Sequence, residues 1–193
     1  HLYVLLILLL ILSEDVSFNE GIHKRIIIKE VPWFKEYRLY DIPLGSLILI
    51  LISRTLQYNH TNKHVLMDTF VHENCYAILS NMSTHIRNMH PYSAQRLISL
   101  LDVMNKRYRN LVDRDEEYES ENNLILLLLD TILNCIQPNM LQHNLALMYA
   151  LLQRQQVIKS MCSVETTDSA SGGNHKTENG EDTDAMNEHH GIN

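Results

Sequence analysis

The stretch that decides the fold is Val71–Leu111, VHENCYAILSNMSTHIRNMHPYSAQRLISLLDVMNKRYRNL. Val71, Cys75, Ile78, Met82, Ile86 and Met89 recur every three or four residues. That spacing lays an apolar stripe along one face of a helix and predicts a helix over 66–89. His90-Pro91 breaks the run, and proline suits the first turn of whatever helix follows. Leu97, Leu101, Met104, Tyr108 and Leu111 then repeat the same spacing, which predicts a second helix over 91–113. Lys106, Arg107 and Arg109 fall near its C-terminal end, where cations complement the helix dipole.

Toward the C-terminus, the acidic DRDEEYESE at 113–121 reads as a solvated loop. A helix over 122–136 follows, and Leu124 to Leu129 is apolar on every side, so this helix is expected to be central. Pro138 and Asn139 end it. A last helix is predicted over 143–160, with Leu147, Met148, Leu151 and Leu152 inward. Residues 161–193 hold almost no large apolar side chains, and burial cannot offset the entropy of ordering them. They are predicted to be a disordered acidic tail.

Toward the N-terminus, LGSLILILISRTLQYN at 44–59 is predicted to be a buried helix, with Ser46 placed to cap its start. Residues 13–43 read as a long, partly ordered connection. Pro32, Trp33 and Phe34 interrupt any helix there, and Ile26, Ile27 and Ile28 suit a short extended piece. LYVLLILLLIL at 2–12 would make a helix of about 16 Å against a hydrocarbon core of about 30 Å, so it is expected to be a helix buried on all sides. With only 6 glycines and 4 prolines, the chain has few turn formers. Pairing 66–89 with 91–113, and 122–136 with 143–160, gives units of roughly 45–55 residues, close to armadillo and HEAT repeats. The expected class is all-α, an α-solenoid over 1–160 followed by the tail at 161–193. The chain opens on His1, and its natural start is expected to lie upstream.

Charge and motifs narrow the function. The net charge is −7, and Ser163–Asn193 carry seven acidic residues against Lys176 alone. The body is therefore near neutral and has no general basic face for nucleic acid. Cys75, Cys135 and Cys162 are too few and too scattered for a disulfide framework, and read as small buried hydrophobes in a reducing compartment. His60 with His64, and His72 with Cys75, have spacings that place two ligands on one helical face. No carboxylate pair or further cysteine completes a set, so these are read as surface histidines and no metal is expected; His189-His190 falls in the tail. Asn59-His60-Thr61 and Asn81-Met82-Ser83 match the glycosylation pattern by chance in a chain read as cytosolic. There is no phosphate-cradling glycine loop and no Gly-x-Ser-x-Gly elbow. Cys75 with His72 lacks a cleft and an orienting group. No catalysis and no cofactor are expected. The alternative is an integral membrane protein using 1–12 and 44–52, although Arg54 follows the second run closely.

Several stretches together resemble the dymeclin family: LSEDVSFNEGIHK (12–24), VPWFKEYRL (31–39), LGSLILILISRTLQYN (44–59), ENCYAILSNMSTHIRNMHPYSAQRLISLL (73–101) and HNLALMYALL (143–152). The resemblance covers roughly residues 2–158, a middle portion of a longer family chain. It implies an armadillo/HEAT-like helical scaffold, cytoplasmic and peripheral to Golgi membranes, that supports Golgi organisation and vesicle traffic through protein partners of the trafficking machinery. It also implies a myristoylated N-terminus lying outside this sequence, and a single such chain gives marginal, reversible membrane binding. It carries no catalytic residues over. Glu73 to Ser83 resembles the inner helix of an armadillo repeat. There Ala77 would let a neighbour approach, and Asn81 would either hydrogen-bond an extended partner or satisfy local backbone groups.

Overall fold

The computed structural model describes residues 1–61, 68–114 and 117–168. His64 and the tail from 169 onward lie outside them, as does the side chain of Cys162. The order is α1 (Leu2–Ser13), α2 (Val16–Lys24), β1 (Ile27–Glu30), β2 (Tyr40–Pro43), α3 (Leu44–Thr61), α4 (Thr69–Ser83), α5 (Pro91–Val112), α6 (Glu119–Ile136), α7 (Pro138–Leu141), α8 (Leu145–Gln153) and α9 (Gln155–Asp168). The chain is mostly helical, as its periodicity predicts.

α1 is a helix but is not buried on all sides. Leu6 is buried and Leu9 and Leu10 partly so, whereas Val4, Leu8 and Ile11 are 52–61% exposed. One face lies on α4, and a run that is apolar all round does not encode which face that is. The chain then bends by 100° into α2. Asp15 caps α2 by accepting from the Phe18 amide at 3.0 Å, and Asn19 Nδ2 donates to the Ser13 carbonyl at 2.7 Å, fixing the corner. The partly ordered connection expected over 13–43 instead holds a helix, α2, and its extended piece falls in a strand, β1. β1 and β2 form an antiparallel pair in which Ile28 faces Ile42. Asp41, at φ 45°, takes the left-handed backbone that Asp tolerates better than most residues.

α3 is the central helix. Ile48, Leu49, Ile52 and Leu56 enter the main core, while Leu47 and Ile50 enter a second, smaller core with Val31, Phe34, Leu39 and Ile42. Ser46 does not cap its own helix. Its hydroxyl accepts from the His90 amide at 3.0 Å, at the residue preceding α5. α4 starts later than predicted, capped by Asp68 on the Val71 amide, and ends at Ser83. Ile86 and Met89 are still buried, but in a turn. Asn144 holds that turn: fully buried, it donates to the Ile86 carbonyl at 2.9 Å and to the Cys135 carbonyl at 3.3 Å, and accepts from the Met89 amide at 3.4 Å.

Four further expectations are corrected. α6 is not enclosed on all sides, since Leu126 and Leu133 are exposed. The single helix over 143–160 is two, α8 and α9, broken at Arg154 and running on to Asp168. Leu152, expected inward, is 68% exposed. The predicted pairing of 66–89 with 91–113 is also not what forms. α4 packs on α1, α3 and α6, and α5 packs on α3, α6 and α8, with little contact between α4 and α5 themselves. Periodicity reveals which residues face inward but not which helix they meet.

Candidate functional site

The most concentrated chemistry lies where the ends of four helices converge. His60 is in the last turn of α3, His72 in the first turn of α4, Arg107 in the C-terminal half of α5, and Ser120 and Glu121 in the first turn of α6. Each place follows from local sequence. Asp68 starts α4 so that His72 falls one turn in. Glu121 sits at a helix N-terminus, where a carboxylate is favoured. Asn59 braces the approach, donating to the Asp68 carbonyl at 2.9 Å and accepting from its amide at 3.0 Å.

The side chains form one connected network. Arg107 Nε donates to Glu121 Oε1 at 2.7 Å, and His60 Nδ1 lies 3.4 Å from the same oxygen. His60 Nε2 meets His72 Nδ1 at 2.9 Å, so one ring donates and the other accepts. His72 Nε2 lies 3.3 Å from the Ser120 hydroxyl, and the Arg107 guanidinium also donates to the His60 carbonyl. His60 and Glu121 are 2% and 4% exposed. Burial by itself would push the Glu121 carboxyl up, but the hydrogen bonds from His60 and Arg107 outweigh it and hold the carboxyl down at about 2. Burial lowers His72, the neighbouring His60 lowers it further, and Glu121 pulls the other way.

The surface histidines expected at His60 and His72 are thus interior, and the solvated loop expected over 113–121 delivers Glu121 to them. Sequence reasoning missed this because it read Glu121 as one acid in an acidic run. The available signal was His60 at the end of a helix otherwise rich in Leu and Ile, where a polar side chain has to find partners inside.

The order hydroxyl, imidazole, imidazole, carboxylate has the look of a proton relay, and Ser120 and His72 edge a pocket of about 300 Å³. The pocket also carries Glu73, Glu117 and Glu119. Nucleophilic attack develops negative charge that needs preorganised donors, and three carboxylates oppose it. With Glu121 committed to Arg107, the arrangement works as a polar lock across four helix ends. Among the described residues no group of three or more His, Cys, Asp or Glu could hold a metal ion.

Other singled-out residues have plain positions. Asn81 is half-buried, and its amide donates to the Ser13 hydroxyl at 3.0 Å, joining α4 to α1. Ala77 is also half-buried on α4. Cys75 and Cys135 are free and buried, and burial pushes each thiol up to about 12, away from the thiolate that reactivity needs. Among the described residues no single helix is long and apolar enough to cross a membrane. α1 with α2 passes that test of length and composition only as a bent pair.

Fold and site define a mostly helical protein whose four converging helix ends are tied by one buried polar network, and which carries exposed apolar side chains on α1 and α8. Comparison with known proteins places it more narrowly. The family model described as "Dymeclin: Dyggve-Melchior-Clausen syndrome protein" matches residues 1–169, beyond the 2–158 expected, and the chain belongs to that family. It is 36% identical over 178 residues to Dymeclin of Gallus gallus, covering 82% of this chain and 26% of the relative. It is 42% identical over 111 residues to Dymeclin of Drosophila melanogaster, covering 58% and 15%. With Dymeclin of Dictyostelium discoideum the identity is 36% over 121 residues, covering 63% and 13%. The chain thus spans about a quarter or less of the length of these relatives. No solved structure matches significantly.

Proposed function

We propose that this chain is part of a non-enzymatic, armadillo/HEAT-like helical scaffold, cytoplasmic and peripheral to Golgi membranes, that supports Golgi organisation and vesicle traffic by holding protein partners. Membership of the dymeclin family supports the setting. The single observation that carries the scaffold reading is the amount of apolar side chain on the outside of two helices. On α1, Val4, Leu8 and Ile11 are exposed, and on α8, Leu145, Tyr149 and Leu152 are 63–68% exposed. A contiguous apolar face of several hundred Å² marks an interaction surface on a soluble protein. Asn81 enters this reading through its carbonyl oxygen, the atom an extended partner would meet beside the α1–α4 joint.

The test is to express the protein with its family-length flanking sequence, follow its overlap with a Golgi marker, and extract the membranes with alkaline carbonate. Overlap, with release into the supernatant, is the expected result. Absence from the Golgi would sink the setting. Retention in the pellet, with aggregates excluded by flotation, would favour the integral membrane alternative built on 1–12 and 44–52. In the same cells Asn81→Ala should weaken partner recovery more than it lowers thermal stability. Equal losses would assign Asn81 to the α1–α4 joint alone.

A further inference from the structure

The segment between α2 and α3 contributes nothing to the polar lock, yet it is the part of the surface most unlike the rest. It is a two-stranded hairpin on a helical body, with the loop 31–39 at its end. Its inner side is firmly anchored. Val31, Phe34, Leu39 and Ile42 are at most 4% exposed and share the second core with α3. Glu36 is paired with Arg54 at 2.8 Å, Arg54 lies over the Phe34 ring at 5.8 Å, and Tyr37 stacks on Tyr92 with centroids 4.7 Å apart. The loop is therefore held in one shape.

What that rigid frame presents outward is amphipathic. Trp33 is 60% exposed, and Tyr37, Tyr40 and Ile27 are 50–58% exposed. Around them stand four exposed cations, Arg25, Lys29, Lys35 and Arg38. None of the four is paired with an acid among the described residues. Lys35 and Arg38 line a pocket of about 480 Å³ whose other walls include Phe34, Leu39, Pro32 and the acid Glu30. Glu30 and Asp41 are the unpaired acids of the segment, so cations outnumber them two to one. This excess sits in a chain whose net charge is −7.

We infer that this hairpin is a docking surface for an anionic lipid bilayer. Trp33 and Tyr40 would sit at headgroup depth, with Lys35, Arg38, Lys29 and Arg25 against the phosphates. Indole and phenol rings combine an apolar body with a polar tip, which suits the boundary between headgroup and acyl chain. Basic side chains beside such rings are drawn to anionic lipids while their alkyl stems stay in contact with apolar surface. Exposed aromatics alone fit a protein partner equally well. The excess of cations around them, and pocket walls that set two cations and one acid among Pro32, Phe34 and Leu39, favour a lipid phosphate carrying acyl chains. The inference deepens the peripheral-scaffold reading and rests on it. It adds a contact surface in this chain that is separate from a lipidated N-terminus.

Trp33 is the one tryptophan of the chain, so its emission reports on this surface and on no other. The experiment mixes the purified 193-residue chain with vesicles of phosphatidylcholine alone, or with about one-third phosphatidylserine, and follows Trp33 emission, acrylamide quenching and flotation. The expected result is a blue shift and protection from quenching with the anionic vesicles only, reversed by high salt. Lys35→Gln with Arg38→Gln should lower partitioning at least tenfold, at roughly fivefold per cation, with unchanged far-UV circular dichroism and melting temperature. Flotation without any change at Trp33 overturns the assignment and points to another face, such as the apolar side of α1, while leaving the peripheral reading intact. Equal shifts with neutral and anionic vesicles overturn the electrostatic half of the argument. No flotation and no shift overturns the inference outright, whereas the scaffold reading is judged by Golgi overlap and partner recovery.

Discussion

His23 is held where its positive charge has no support. It is 2% exposed, and among the described residues neither ring nitrogen has a hydrogen-bond partner. Its ring lies so close to Gly45 that a Cβ there would come within 2.3 Å of it, which explains why that position takes no side chain. Burial first, then the nearby His85, lower its pKa to about 4, and the Arg87 backbone opposes weakly. The folded value is thus below the usual 6.5. The unfolded chain binds a proton that the native chain refuses, so stability is full above pH 6.5 and falls as pH drops toward 4. The loss approaches about 3 kcal/mol. Glu121, held down at about 2 against an ordinary 4.5, adds a second loss in the same direction, from pH 4.5 downward. Unfolding free energy measured by urea titration across this range should therefore fall in two overlapping stages. His23→Phe keeps a ring and removes the proton site. The slope between pH 6.5 and 4 should then drop by about one proton, ~1.4 kcal/mol per pH unit, whatever happens to absolute stability. An unchanged slope would show that His23 is not the group responsible. This behaviour was hidden in the sequence, because a histidine in GIHKR looks like any basic residue at a helix end. Only the Gly45 contact reveals that it points inward.

At the scale of elements, α1 shows what a sequence does and does not specify. LYVLLILLLIL fixes that a helix forms, since leucine and its neighbours lose little freedom in one. It cannot fix an orientation, because every side chain is acceptable inside. Ser13, which bonds to Leu10 and accepts from Asn81, helps to set that orientation from the end of the helix. Leu6, at 6% exposure, belongs to the core, whereas Leu8 and Ile11 project outward at 52% and 60%. Leu8→Glu with Ile11→Lys should therefore leave thermal stability within about 0.5 kcal/mol, while reducing dye binding to exposed apolar surface and self-association in sedimentation. Leu6→Ala should do the reverse, costing about 2–3 kcal/mol with little effect on association. If the outward pair unfolds the chain instead, α1 is buried as its composition suggested. The other helices were more legible than α1. α5, with Pro91 at its first position and a full apolar stripe, begins and ends almost where its residues say. α4 stops early, and the turn that follows it is held at Ile86 and Met89 by Asn144, a contact from across the chain that no local pattern announces.

At the scale of the molecule, the main core and the hairpin core are distinct groups of side chains that share one helix. α3 supplies Leu49, Ile52 and Leu56 to the first, and Leu47 and Ile50 to the second. Its run LILILI was legible as buried, but not as serving two cores, because that depends on a hairpin whose residues look like a loop in sequence. The polar lock adds a second tie at the far end of α3, through His60 to α4, α5 and α6. An element fixed at both ends and on two sides has no partial state in which one core melts while it stays in place, so the two cores should unfold together. Trp33 fluorescence reads the hairpin, and far-UV circular dichroism reads the helices. In urea their transitions should coincide. Ile50→Ala, at a fully buried position of the smaller core, should lower both midpoints equally, at a cost of about 2–4 kcal/mol. If only the fluorescence midpoint moves, the hairpin is an independently melting unit. The coupling that α3 provides would then be too weak to hold the lipid-facing loop in a fixed relation to the helical body.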